Sequence, residues 1–172
     1  MSQPHHDALV TATPQSRRLP TSSRHESLAA RFRQLIRIDM TPVGRGVFAR
    51  RSLQAHLVLG EITGVILDDH PEDSSYVMEL ASGRLLDPAA PLRFVNHSCD
   101  PNCEIFYWDE EDGTPPEDRL FLQTIRPIAK GEELSIDYSW PADAAIPCRC
   151  GTANCRGWIV DPEERHLLGD PQ

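Results

Sequence analysis

No run of apolar residues in the sequence is long enough to cross a membrane. A spanning helix needs about 18 or more, whereas the longest greasy stretch, residues 57–67, is broken by Gly60, Glu61, Thr63 and Gly64. Before Pro14 there is no apolar stretch of signal-peptide type, which argues against secretion by that route, for a reducing compartment, and for the cytoplasm as the default location. Positive charge is in short supply: 17 Lys and Arg face 26 Asp and Glu, a net charge of −9. That balance works against a broad basic surface gripping phosphates, so no direct nucleic-acid binding is expected, and it favours a basic protein or peptide as partner. Internal repeats are absent, and helical periodicity nearly so. The cysteines number five, an odd count that does not suit a disulfide framework.

At 172 residues the chain suits one domain, able to bury about two-thirds of its unfolded surface. Residues 1–27 hold three prolines, many Ser and Thr and no periodic hydrophobicity, the composition of a disordered arm. Leu28 to Gln34 can form a short helical turn. Beyond it, Leu35, Ile36 and Ile38 lead into Thr41-Pro42-Val43-Gly44-Arg45-Gly46 and then Val47-Phe48-Ala49, a strand, glycine turn and strand. Further short apolar groups follow at 57–59, 62–67, 76–80, 85–86, 94–95, 105–108, 120–125 and 134–136. Their β-branched and aromatic content predicts strands, hence a mostly β fold of several small sheets. Asp109 to Asp118 carries six acids and no base and reads as an exposed loop. Pro141 to Pro147 is a second break, after which the cysteines cluster.

Three of those cysteines are spaced Cys148-x-Cys150-x4-Cys155 on a Gly- and Asn-containing turn. Three thiolates there can wrap zinc, but a closed structural site needs four ligands, so one must come from Cys99 or Cys103. Reduced structural thiols and disulfides are the alternatives.

Four blocks then stand out together: Gly44-Arg45-Gly46-Val47-Phe48-Ala49; Arg93-Phe94-Val95-Asn96-His97-Ser98-Cys99-Asp100-Pro101-Asn102; Ile125 to Tyr138 with Lys130-Gly131-Glu132-Glu133-Leu134-Ser135-Ile136-Asp137-Tyr138; and the cysteine tail. Each is weak alone. In this order they resemble the SET-domain protein-lysine methyltransferase family with its post-SET zinc segment, over roughly residues 35–160.

The resemblance implies a SET-like fold with a pseudoknot-like core, divided as a catalytic domain over 28–140, a post-SET segment over 141–160 and a tail over 161–172. It implies that Gly44, Arg45 and Gly46 lie along S-adenosylmethionine, where a missing Cβ permits close approach, and that Asn96, His97 and Tyr76 also contact that cofactor. Tyr138 would stand beside the reacting amine. Cys99, Cys148, Cys150 and Cys155 would hold a structural Zn2+, with Arg156 to Ile159 folding over the cofactor and lysine channel. The implied activity is methyl transfer to lysine of a basic protein, whether histone, histone-like or ribosomal. A histone-directed enzyme of a eukaryote would act in the nucleus. Two positions depart from the family pattern, Ile62 and Ile136, where aromatic residues often wall the lysine channel and limit the number of methyl groups. They keep a second reading open, a non-catalytic SET-like module that binds cofactor or a lysine-bearing peptide.

Overall fold

A computed structural model describes residue 10 and residues 13–16, 32–69, 71, 76–109 and 117–170. Thirteen strands run through it in chain order: β1 (Thr13–Ser16), β2 (Ile36–Thr41), β3 (Gly44–Ala49), β4 (Val58–Ile62), β5 (Gly64–Leu67), β6 (Met78–Glu79), β7 (Leu85–Pro88), β8 (Asn96–His97), β9 (Cys103–Asp109), β10 (Leu120–Thr124), β11 (Glu133–Ile136), β12 (Ile146–Pro147) and β13 (Trp158–Ile159). Among the described residues, helix is confined to a single turn over 32–35 and three short 3-10 turns. None is long and apolar enough to cross a membrane. The mostly β reading therefore holds, and most of the expected strands are present.

The strands form small sheets with the orders β1-β9-β10-β4, β2-β3-β11-β8, β5-β7-β6 and β12-β13. In the first, β10 lies between β9 and β4, and all five of its residues are buried, which explains its near-continuous apolar sequence Leu-Phe-Leu-Gln-Thr. In the second, β11 enters between β3 and β8, antiparallel to β3 and parallel to β8. A strand from late in the sequence thus threads between two earlier ones, the crossing that a pseudoknot-like core requires. The main core gathers Leu35, Ile36, Val47, Leu59, Ile62, Ile105, Leu122, Ile128, Leu134 and Ile136 among others. Phe106, Trp108 and Phe121 form a second, aromatic cluster on the other face of the β9–β10 pair.

Two expectations are corrected. Residues 1–27 are not wholly an arm: β1 pairs in parallel with β9, and Val10 is buried and bridges Met78, donating its N–H to Val77 O at 3.1 Å. Backbone pairing with open strand edges supplies there what the polar side chains do not. The rest of that segment lies outside the described residues, as do most of Leu28 to Gln34 and of the acidic loop. Phe94-Val95 is not a strand; Leu92–Phe94 is a 3-10 turn that delivers the chain into β8. The tail is folded as far as 170, with a 3-10 turn at Arg165–Leu167.

Candidate active site

The glycine turn opens β3. Gly44 has φ +125°, and no atom lies within 4 Å of where its Cβ would stand, so its backbone faces open space. Gly46 is constrained by packing instead: a Cβ there would run into the Glu133 carboxylate and sit 2.6 Å from the Thr41 methyl. Glu133 comes from β11 and links the turn to β8. Asn96 donates from Nδ2 to Glu133 Oε1 at 2.7 Å and to Arg45 O at 3.0 Å, while the Arg45 guanidinium lies 5.1 Å over the Phe94 ring. Gly44, Arg45, Gly46 and Asn96 are therefore brought together, with Glu133, unforeseen as a site residue, between them.

His97 and Tyr138 face each other across the β8–β11 pair, their rings 5.5 Å apart edge to face. The Tyr138 backbone N–H donates to His97 Nδ1 at 3.2 Å, so a neutral imidazole carries its proton on Nε2, which points at Cys99 Sγ at 3.3 Å. Burial lowers the His97 pKa to about 4, with Asp137 opposing and Arg156 adding to the shift, so the ring is neutral at pH 7. The side chain of His97 is thus spent on positioning Tyr138 and the sulfur. The Tyr138 hydroxyl donates to Val95 O at 2.9 Å. Burial pushes its pKa well up, with Tyr76 and Glu133 adding to the shift, which keeps the phenol protonated at neutral pH.

Tyr76 stands at the rim, 38% exposed, with the Arg93 guanidinium 4.2 Å over its ring and Arg93 in turn paired with Asp87. The short turn Leu92–Phe94 thereby serves three site residues, since Arg93 stacks on Tyr76, Phe94 lies under Arg45, and Val95 next to it receives the Tyr138 hydroxyl. Ile62 and Ile136, the two departures from an aromatic wall, are 3% and 1% exposed and belong to the main core. Trp140 supplies an aromatic neighbour instead. It is buried with its ring 5.4 Å from Tyr138, and its indole Nε1 has no hydrogen-bond partner among the described residues. A tryptophan two places past a tyrosine was visible in the sequence, without a signal to single it out.

The sulfur atoms of Cys99, Cys148, Cys150 and Cys155 all lie within 4.8 Å of one another. Cys103 is elsewhere, on β9 and buried, with its thiol pushed up to about 12 chiefly by that burial. Four thiolates around a tetrahedral zinc, each at about 2.3 Å, stand about 3.8 Å apart, and Cys99 Sγ and Cys148 Sγ are 3.7 Å apart. Burial pushes the Cys99 and Cys148 thiols up, whereas at Cys150 it is outweighed by hydrogen bonds, chiefly from the Thr152 hydroxyl and the Cys99 backbone, which bring the thiol down to about 6. A divalent cation overcomes such resistance, because coordination deprotonates a thiol. The donor set and spacing fit zinc.

Around the cluster, Arg156 donates from Nη2 to Asp137 Oδ1 at 2.7 Å and to Val160 O at 3.0 Å, tying the cysteine segment to the residue before Tyr138. Residues 161–170 brace it from outside. Arg165 Nε donates to Arg156 O, Trp158 Nε1 to Gly169 O, and the Ala142 N–H to Glu164 Oε2. Asn102 was also missed by sequence reasoning. It is buried and clamps β9 to β11, donating to Glu132 Oε1 and Glu133 O and accepting from the Ser135 N–H.

A mostly β fold of small interlocked sheets, a glycine turn, an Asn-His pair, a half-buried tyrosine and a four-cysteine cluster define one class of protein. The chain belongs to the SET domain family, whose model matches residues 44–139, more than half of the sequence. It is 28% identical over 171 residues to histone-lysine N-methyltransferase 2D of Homo sapiens, covering 87% of this chain and 3% of that protein. It is 38% identical over 97 residues to histone-lysine N-methyltransferase ash1 of Drosophila melanogaster, covering 52% of this chain and 4% of that one. The chain therefore spans only a small part of these relatives. Among solved structures it resembles KRYPTONITE in complex with mCHG DNA and SAH, at TM-score 0.59 and 25% identity over 70% of this chain and 27% of the other. A second KRYPTONITE complex, with mCHH DNA, an H3(1-15) peptide and SAH, aligns at TM-score 0.60 and 23% identity over 73% and 29%.

Proposed function

We propose that the chain is a protein-lysine N-methyltransferase that uses S-adenosylmethionine and carries a structural zinc. The observation that carries this reading is the setting of Tyr138, half-buried between His97 and Trp140, with its hydroxyl committed as a donor to Val95 O and its backbone N–H to His97, the residue after Asn96. The cofactor supplies an electrophilic methyl group on a sulfonium. Gly44, Arg45, Gly46, Asn96 and Tyr76 would bind and orient it, with His97 acting through Tyr138 and the sulfur cluster. The SAH in the KRYPTONITE complexes supports the same cofactor family.

The obstacle to transfer is protonation, because a free lysine with pKa about 10.4 is almost wholly ammonium at pH 7. A buried, aromatic surround penalises that charge. Because the Tyr138 hydroxyl gives its proton to Val95 O, its oxygen lone pairs remain to accept an N–H from the incoming amine. Accepting that N–H aims the nitrogen lone pair elsewhere, toward the methyl. A neutral phenol of raised pKa positions the amine and does not serve as its base. Cys99, Cys148, Cys150 and Cys155 would hold the zinc, which would order the chain from 146 to 160 and supply no step of the chemistry.

The substrate class is a basic protein segment. The histone-lysine methyltransferase relatives and the H3 peptide of the second KRYPTONITE complex support a histone-type tail, and hence action at chromatin where the host has it. The test is transfer from labelled S-adenosylmethionine to histones, ribosomal proteins and cell extract, beside Tyr138→Phe. Labelled lysine is expected to fall by about 10²-fold or more in the variant, with cofactor affinity within about twofold. Equal labelling by both would remove Tyr138 from the transfer step, whereas cofactor bound without labelling in either would favour the non-catalytic module.

A further inference from the structure

The acidic balance of the chain conceals a segregated basic face. Three segments meet at the base of the β2–β3 hairpin. The Arg50 N–H donates to Leu35 O at 2.7 Å and Arg50 Nε to Ile36 O at 2.5 Å, setting residues 49–53 against 32–40. On their other side, Gly131 N–H donates to Ala49 O at 2.8 Å, and Leu53 and Ile128 exchange backbone hydrogen bonds at 2.8 and 3.0 Å. Residues 32–40, 49–53 and 126–132 hold six bases, Arg33, Arg37, Arg50, Arg51, Arg126 and Lys130, against two acids, Asp39 and Glu132. Both acids are spent locally, Asp39 on Arg37 and Glu132 on Arg126. Arg33, Arg50, Arg51 and Lys130 remain, all exposed, and among the described residues no carboxylate pairs with any of them. A protein of net charge −9 that leaves four cations on adjoining segments without a carboxylate partner presents a local positive field that the total does not report.

We propose that this face binds the phosphate backbone of duplex nucleic acid, independently of the methyl-transfer site. The chemistry favours phosphate because three of the four cations without a carboxylate partner are arginines, whose planar fork matches phosphate oxygens. Duplex is favoured over single strand because these segments expose no ring for a base to stack on: Phe32 is buried and Phe48 lies under the Arg37 guanidinium at 4.9 Å. The face lies at the opposite end of β3 from Gly44, about 17 Å away at about 3.4 Å per residue, so a bound duplex leaves the glycine turn open. An enzyme acting on a protein tail that emerges beside nucleic acid would thereby hold both at once. Net charge, the ground on which nucleic acid was set aside in the sequence, sums over the surface and cannot register this separation.

The test is fluorescence anisotropy of a labelled duplex of about 20 base pairs with the full 172-residue chain, from 50 to 200 mM salt. Four phosphate contacts predict a slope of log K against log salt of about −3.6, a loss of about 10²-fold across that range. Arg33, Arg51 and Lys130 make no hydrogen bond to the rest of the described structure, so Arg33→Gln/Arg51→Gln/Lys130→Gln should keep its melting temperature and S-adenosylmethionine affinity while its slope drops to about −1. Adding Arg50→Gln should remove the remainder. No binding at 50 mM salt, or an unchanged slope in the triple variant, would overturn the proposal. So would displacement of the duplex by polyglutamate or by phosphatidylserine vesicles at equal charge concentration, which would assign the face to an acidic protein or to a membrane.

Discussion

The two halves of the candidate site are held together by different forces. Gly44 to Gly46, Asn96, His97 and Tyr138 sit on β3, β8 and β11, whose ladders rest on Val47, Leu134 and Ile136, each no more than 1% exposed. From 141 to 170, by contrast, Val160 is the single buried residue, and β12 and β13 are two residues long with Ile146 47% exposed. One buried valine returns about 2 kcal/mol, far less than the backbone entropy of ordering such a segment. A structural zinc would add about 10–16 kcal/mol. Tyr138 thus stands on self-sufficient ground, while the cysteine segment that follows it would depend on metal.

Chelation should break the comparison most visibly. Stripping zinc is expected to cost about 10–100-fold in methyl transfer, with amide protection lost over 146–160 and kept in β3, β10 and β11. Hydrogen exchange by mass spectrometry reads both regions at once, and loss of protection throughout would show that the body depends on the cluster too.

Gly46→Ala attacks the self-sufficient half. The new methyl meets the Glu133 carboxylate, which is held by Asn96, and the Thr41 methyl on the neighbouring strand, so neither can withdraw cheaply. The expected cost is about 1–3 kcal/mol in urea unfolding, with a weaker affinity for S-adenosylmethionine in the surviving fold. Gly44→Ala, whose Cβ would meet open space, should lose stability only through its positive φ.

What the sequence disclosed and what it hid divides along the same line. Local chemistry was legible: the apolar runs of β9 and β10, the glycine turn, the Cys148-x-Cys150-x4-Cys155 spacing. Features completed by distant partners were not. Thr13-Pro14-Gln15-Ser16 has no apolar alternation and carries a proline, and only the free edge of β9 makes it a strand. Asn102 reads as a turn residue until it is seen gripping Glu132 and Ser135, some thirty residues on. Residues 161–170 look like a tail because their contacts run from polar side chains to backbone, through Arg165 and Glu164, with no apolar pattern to announce them.

The joint between the halves is the Asp137–Arg156 pair, 21% and 16% exposed. A double-mutant cycle with Asp137→Asn and Arg156→Gln should return a coupling of about 1 kcal/mol. That coupling is expected to appear only in the zinc-loaded protein, since Arg156 directly follows Cys155. Equal coupling after chelation would mean that the ion pair, and not the metal, seats the segment.

The smallest effect belongs to the clamp inside the body. Burial tends to raise the Glu132 pKa, but the Ala129 N–H, Asn102 and Arg126 outweigh it and hold the carboxyl below its ordinary 4.5. A depressed folded pKa means that the unfolded chain binds the proton first on acidification. The stabilisation is therefore complete above about pH 4.5 and drains away as pH falls through the lower, folded value. Glu132 is partly exposed and its pair with Arg126 is screened by solvent, so the contribution is below about 1 kcal/mol. Comparing wild type with Glu132→Gln, urea midpoints should differ at pH 7 and converge toward pH 3, whereas a gap that persists at pH 3 would assign the effect to the shape of the side chain and not to its charge.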